Sequence, residues 1–106
     1  MKFWLGSALC KIGISWSASL KDRRHVVRAL TDGARAKFNI SASDLGPADI
    51  LNAADLGFAA AGSSSAEVEE RLMSLEKFLR QKESDGEFEI FEFVWEVFAY
   101  GDISDR

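Results

Sequence analysis

The hydrophobic repeat of this chain changes period at residue 19 and changes back near residue 38, and that double switch constrains the fold more than any other feature. Before it, residues 5–16 alternate loosely, with Ala8, Cys10, Ile12 and Ile14 on one side and Leu9, Lys11, Gly13 and Ser15 on the other. A period of two is that of a half-buried strand. Over residues 19–37 the repeat becomes helical. At about 100° per residue, Leu20, Val27, Leu30, Ala34 and Phe38 gather within roughly 80° of one another, a stripe that faces a core. Ser19 suits the cap of such a helix, because its hydroxyl accepts from an amide of the first turn. Residues 38–45 alternate again and predict a short second strand.

The rest of the chain supplies the same parts once more. Gly46 and Pro47 break it, and the segment from Asp49 to Ala54 reads as a helical turn or the start of a strand. The apolar run at 56–61 predicts a third strand, and Ser64 with Glu67 fits a capping box that opens a second helix. In that helix Val68, Leu72, Leu75 and Leu79 keep core spacing up to about residue 82. Residues 87–100 predict an aromatic strand, with Phe91, Phe93, Trp95 and Val97 toward the core and Ile90, Glu92, Val94, Glu96 and Phe98 away from it. The order strand, helix, strand, strand, helix, strand predicts an α+β, ferredoxin-like βαββαβ sandwich. In it a four-stranded antiparallel sheet carries both helices on one face, with the first and third strands central. Residues 1–100 make one domain of this kind and 101–106 a polar tail.

Charge is divided unevenly along the chain. Residues 1–37 hold eight basic side chains against two acids, and residues 38–106 hold five against fifteen, although the net charge is only −4. This predicts a two-faced electrostatic surface rather than a chain that coats nucleic acid throughout. The positive side is concentrated on the first helix, where Lys21, Arg24, Arg28 and Arg35 fall within a sector of about 60°, away from the core stripe and beside His25. Such a stripe can grip a phosphate backbone, or it can be an ordinary solvated helix face. Arg23 falls inside the apolar sector, between Leu30 and Ala34. Its two readings are an ion pair with a carboxylate such as Asp44 and a buried anion site.

Other chemistry finds little support. Cys10 is the only cysteine, which excludes an internal disulfide and reads as a small core residue. His25 is the only histidine and lies on a charged helix, while Glu87, Glu89, Glu92 and Glu96 read as the wet side of a strand. No phosphate-cradling glycine loop or metal-ligand spacing is present, so the expectation is a non-enzyme without metal or cofactor. Ferredoxin-like sheets can stack RNA bases on aromatics of the two central strands. Here the open face of those strands would show Leu9, Lys11, Gly13, Asp55, Gly57, Ala59 and Ala61, which is no stacking platform. No apolar run reaches the ~20 residues of a membrane span. The opening Met1, Lys2, Phe3, Trp4 and Leu5 reads as structural rather than as a signal peptide, and the protein as cytoplasmic. Leu9, Ile90, Val94 and Phe98 would form an apolar patch on the open sheet face next to an unpaired edge. That predicts a homodimer, unless the N-terminus or the tail, with Trp4 and Tyr100, covers the patch.

From the Ser-Leu-Lys-Asp-Arg-Arg stretch at 19–24 the chain resembles the YlxP-like family of small bacterial proteins, domain of unknown function 503, whose mark is Ser-Leu-Lys-x-Lys/Arg-Arg at the start of helix one. The similarity continues through Phe-Asn-Ile-Ser at 38–41 and Ala-Asp-Leu-Gly-Phe-Ala at 54–59, and covers most of residues 6–98. The chain departs from the family at 50–53, where it reads Ile-Leu-Asn-Ala in place of a Leu-Trp-Gln-Arg-type stretch, so an aromatic and a basic group are missing. The resemblance implies a ferredoxin-like fold, self-association and gene neighbours that serve translation, but no activity. The combined expectation is a homodimeric binding module that contacts an anionic partner, ribosomal RNA or the translation machinery, through Lys21, Arg23, Arg24, Arg28 and Arg35. The alternative is a small-molecule-sensing regulatory module with its ligand site between protomers.

Overall fold

A computed structural model describes residues 1–101 of the chain, so the expected tail lies, apart from Gly101, outside the described residues. Six elements follow in order: β1 (Phe3–Gly13), α1 (Leu20–Phe38), β2 (Ser41–Gly46), β3 (Ala53–Gly62), α2 (Ser65–Glu83) and β4 (Glu89–Tyr100). The strands form one sheet in the order β2-β3-β1-β4, antiparallel throughout. This is the ferredoxin-like α+β arrangement, with β1 and β3 central as the crossover rule requires. Among the described residues no helix is long and apolar enough to cross a membrane.

Local chemistry accounts for the helix ends. The hydroxyl of Ser19 accepts from the amide of Asp22 at 3.1 Å, and that of Ser64 accepts from the amide of Glu67 at 3.2 Å. The Glu67 carboxylate reaches back to the amide of Ser63 at 3.1 Å, which completes a capping arrangement one residue further out than the usual box. α1 stops where Asn39 takes the left-handed conformation (φ 53°), a geometry that asparagine tolerates at a helix end.

The core lies between the sheet and the two helices. Cys10, Ile12, Leu56 and Phe58 project from the central strands against Val27 and Leu30 of α1 and Leu72, Leu75 and Leu79 of α2, all of them buried. Each fully buried leucine contributes about 1.5–3 kcal/mol. Gly33 lets the helices approach closely, since a Cβ there would stand 2.6 Å from the ring edge of Phe78 on α2. The buried arc of α1 is turned slightly toward Val26 from the expected stripe. Val26 is 3% exposed, whereas Leu20, in the first turn, is 50% exposed.

β4 departs most from the expected alternation. Lys11 faces Glu92 but Ile12 faces Ile90, so Phe91 is an extra residue at a bulge. Below the bulge the parity of the strand reverses. Ile90 therefore turns into the core beside Ile12 and does not belong to the open face, correcting the placement expected from strict alternation. Phe91, expected inside, is 64% exposed, and its ring lies where a Cβ on Gly13 would be. From Glu92 onward the expected alternation holds, with Phe93 and Val97 packed against the core.

Candidate functional site

The basic residues predicted for one surface divide into two groups. Lys21, Arg24 and Arg28 lie with His25 along one exposed side of α1, where they line a shallow groove that also includes Ala29 and Asp32. Their spacing of three, four and seven residues places successive side chains one above the other, with Cβ atoms about 5–6 Å apart. None of the four forms an ion pair among the described residues. The two acids that could neutralise them are engaged elsewhere. The Asp22 carboxylate accepts from the amide of Ala18 at 3.0 Å, and that of Asp32 accepts from Arg35 at 2.7 Å.

This arrangement works against the helix that carries it. Like charges three or four residues apart destabilise a helix by roughly 0.2–0.5 kcal/mol per pair. The first turn of a helix also carries the positive end of the backbone dipole, which disfavours Lys21 there. α1 therefore holds a cluster of positive charge that its own helix does not favour.

Arg23 has the opposite fate. It is 5% exposed, and its guanidinium grips the Asp44 carboxylate with two parallel bonds, Nη1 to Oδ2 at 2.6 Å and Nη2 to Oδ1 at 3.0 Å. Its Nε donates to the carbonyl of Ala53 at 2.9 Å. The Arg23 bonds hold the Asp44 carboxyl below the usual carboxylate range, with help from the amide of Gly46 at 2.9 Å, and Asp44 in turn raises the arginine above its ordinary value. Of the two readings open for Arg23, the ion pair is the one the structure contains. It ties α1 to β2 and to the start of β3.

Arg35 likewise departs from the stripe, although the helical wheel places it there. It bonds Asp32 through Nη1 and the carbonyl of Ala42 through Nη2 at 2.6 Å, joining α1 to β2. Arg71, which sequence reasoning does not single out, does similar work from α2. Its Nε donates to Phe38 at 3.0 Å, Nη1 to Ala61 at 2.8 Å and Nη2 to Asn39, all at backbone carbonyls. The wheel holds a signal for it, because Arg71 flanks the Val68, Leu72 and Leu75 stripe.

On the open sheet face Leu9 and Val94 are directly opposed partners on β1 and β4, and Phe98 lies four ladder pairs further along opposite Leu5. Val94 is 47% and Phe98 43% exposed. Two side chains that sequence reasoning did not assign to this face join them: Phe91, through the β4 bulge, and Leu45, which covers Gly57 at a second register shift in β2. Residues 3–13 are themselves β1, with Phe3 in a tilted ring contact with Tyr100 at 5.4 Å, so these residues are a strand of the sheet and not a cover over its patch. Cys10 is fully buried, which pushes its thiol up to about 12, so no thiolate is available near neutrality.

Comparison with known proteins agrees with the resemblance carried by helix one. The family model described as a protein of unknown function, DUF503, matches residues 5–94. The uncharacterized protein YlxP of Bacillus subtilis (strain 168) is 32% identical over 75 residues, which span 71% of this chain and 82% of that protein.

Proposed function

Since the chain belongs to the DUF503 family of proteins of unknown function, we propose a function from its own surfaces: a non-enzymatic, homodimeric module that binds a polyanion through α1. The observation that carries this reading is the set of Lys21, Arg24 and Arg28 on one exposed helix face, beside His25 and without acidic partners among the described residues. The partner chemistry is a phosphate backbone, RNA of the translation machinery being the preferred case. Contacts of this kind position a polyanion without reading its sequence. Arg23 and Arg35 are engaged within the fold and lie outside the proposed contact.

The test is co-sedimentation with ribosomes and filter binding of ribosomal RNA over a salt series, for the natural chain and for a variant with Lys21, Arg24 and Arg28 changed to alanine. Removing one phosphate-binding cation makes the dependence of log affinity on log salt shallower by about 0.7–0.9, so the triple variant should be shallower by about two to three units of slope. Equal binding by both chains overturns the proposal.

A shallow depression on the open sheet face, lined by Ser7, Leu9, Leu45 and Val94, supports a second reading, a ligand-sensing module with its site between protomers. A thermal-shift screen against metabolites separates the two readings. Stabilisation by a small molecule that Leu45→Glu abolishes would favour the second.

A further inference from the structure

We infer that a second copy of this chain pairs antiparallel along the free edge of β4, with Trp95 on the two-fold axis; the inference rests on the homodimeric reading above and names its interface. The two edges of the sheet are unlike. β2 is six residues long, with Ser41, Ser43 and Asp44 among them, and closed off by Gly46 and Pro47. Such an edge is protected against further pairing. β4 is twelve residues long, about 40 Å at strand rise, and among the described residues its outer edge has no neighbour in the sheet. It carries apolar side chains on both faces: Phe91 at 64%, Val94 at 47%, Trp95 at 37%, Phe98 at 43% and Tyr100 at 58% exposure. At about 150–250 Å² for each aromatic, these offer on the order of 500 Å² of apolar surface per copy. Pairing the strand backbones brings the buried area toward the ~800 Å² per partner of a stable interface.

Charge selects both the mode and the register. Stacking two open faces would bury the Lys11–Asp55 ion pair (3.2 Å) together with Glu92 and Glu96, whereas edge pairing leaves them in water. A contact between β4 and the basic α1 of another copy would be head-to-tail and would not close, whereas edge pairing about a two-fold axis does. Within the regular run from Glu92 to Tyr100, an axis at Val94 sets Glu92 opposite Glu96, and an axis at Glu96 sets that residue against itself. Directly opposed like charges destabilise a ladder. Axes at Trp95 and at Val97 both overlap over seven residues of this run and keep the glutamates from facing one another; the axis at Trp95 is the one that sets Trp95 against its own counterpart, where the axis at Val97 would pair it with Ala99. The axis at Trp95 places Phe93 opposite the second copy's Val97, Val94 opposite Glu96 and Glu92 opposite Phe98. Phe93, Trp95 and Val97 then meet their counterparts on the helix side of the sheet and continue the core across the axis.

Sedimentation equilibrium of the full chain should give twice the 11.7 kDa chain mass. Val94→Glu, at an exposed position, sets a glutamate opposite Glu96 and should raise the dimer dissociation constant at least tenfold. Val94→Lys sets an ammonium there instead and should keep the dimer. Trp95→Cys should form an intermolecular disulfide on mild oxidation and Val97→Cys should not, while the buried Cys10 stays silent in both. Circular dichroism on each variant checks that the fold is intact. A monomeric natural chain overturns the homodimeric reading and this interface together. A dimer that survives Val94→Glu, or that crosslinks at Val97→Cys rather than Trp95→Cys, overturns the edge and register alone. A higher oligomer that dissociates on removal of the α1 charges shows head-to-tail contact and also overturns it.

Discussion

Arg23 and Arg24 are neighbours on one helix and have opposite environments. Arg23 is buried, gripped by Asp44 and the Ala53 carbonyl, and holds three elements together. Arg24 is exposed and unpaired among the described residues, in line with Lys21 and Arg28. The difference teaches that residue type says little about a charge's role. A rotation of about 100° along the helix moves a guanidinium from the sheet's end to solvent, and burial then decides whether its charge serves folding or remains available to a partner.

Removing Arg23 should have the largest effect. Arg23→Ala deletes three hydrogen bonds and leaves Asp44 without its counter-ion, at about 2–4 kcal/mol, part of the loss being recovered because Asp44 reaches water. The urea midpoint reads this, and an unchanged midpoint would place Arg23 with the solvated charges. A third side of α1, neither buried pair nor free charge, comes next. Gly33→Ala must displace the Phe78 ring and should destabilise by about 1–2 kcal/mol, the overpacking exceeding the gain of up to ~1 kcal/mol in helix propensity.

The pair also sets an acid limit. The folded chain holds the Asp44 carboxyl below its ordinary value, so its contribution is complete above an unfolded pKa of about 4 and is lost as pH falls through the lower folded value. In Asp44→Asn the drop in stability below about pH 4 should be shallower, as read from denaturation midpoints across pH. The smallest effect on stability belongs to the exposed stripe. Lys21→Ala, Arg24→Ala and Arg28→Ala together should change it by no more than about 0.5 kcal/mol, with a slight gain as like-charge repulsion is relieved. If the triple variant lost as much stability as Arg23→Ala, the contrast between the two faces would disappear.

Much of this contrast is legible in the sequence. The helical period places Arg23 among Leu30 and Ala34 and the other basic residues opposite them, and Asp44 is the carboxylate the sequence offers it. Arg35 is misjudged by the wheel, because its position there is right but its long side chain reaches back to the Ala42 carbonyl. Arg71 escapes sequence reasoning for a similar reason: its three acceptors lie on Phe38, Asn39 and Ala61, distant in the chain from its own helix. Ile90 and Phe91 exchange faces through a one-residue bulge, which alternation alone does not register.

What the sequence determined by itself is the order of elements, their caps, and the division of α1 into a core face and a basic face. These depend on periodicities and hydrogen bonds within a few residues, and the same chain segment supplies both sides of each interaction. The tertiary structure alone decided which cations the fold engages and which way the lower end of β4 faces. Each of these depends on where a second element places its carbonyls or its ladder, and the distance between Arg23 and Ala53, or between Ile12 and Ile90, is closed only when the sheet forms.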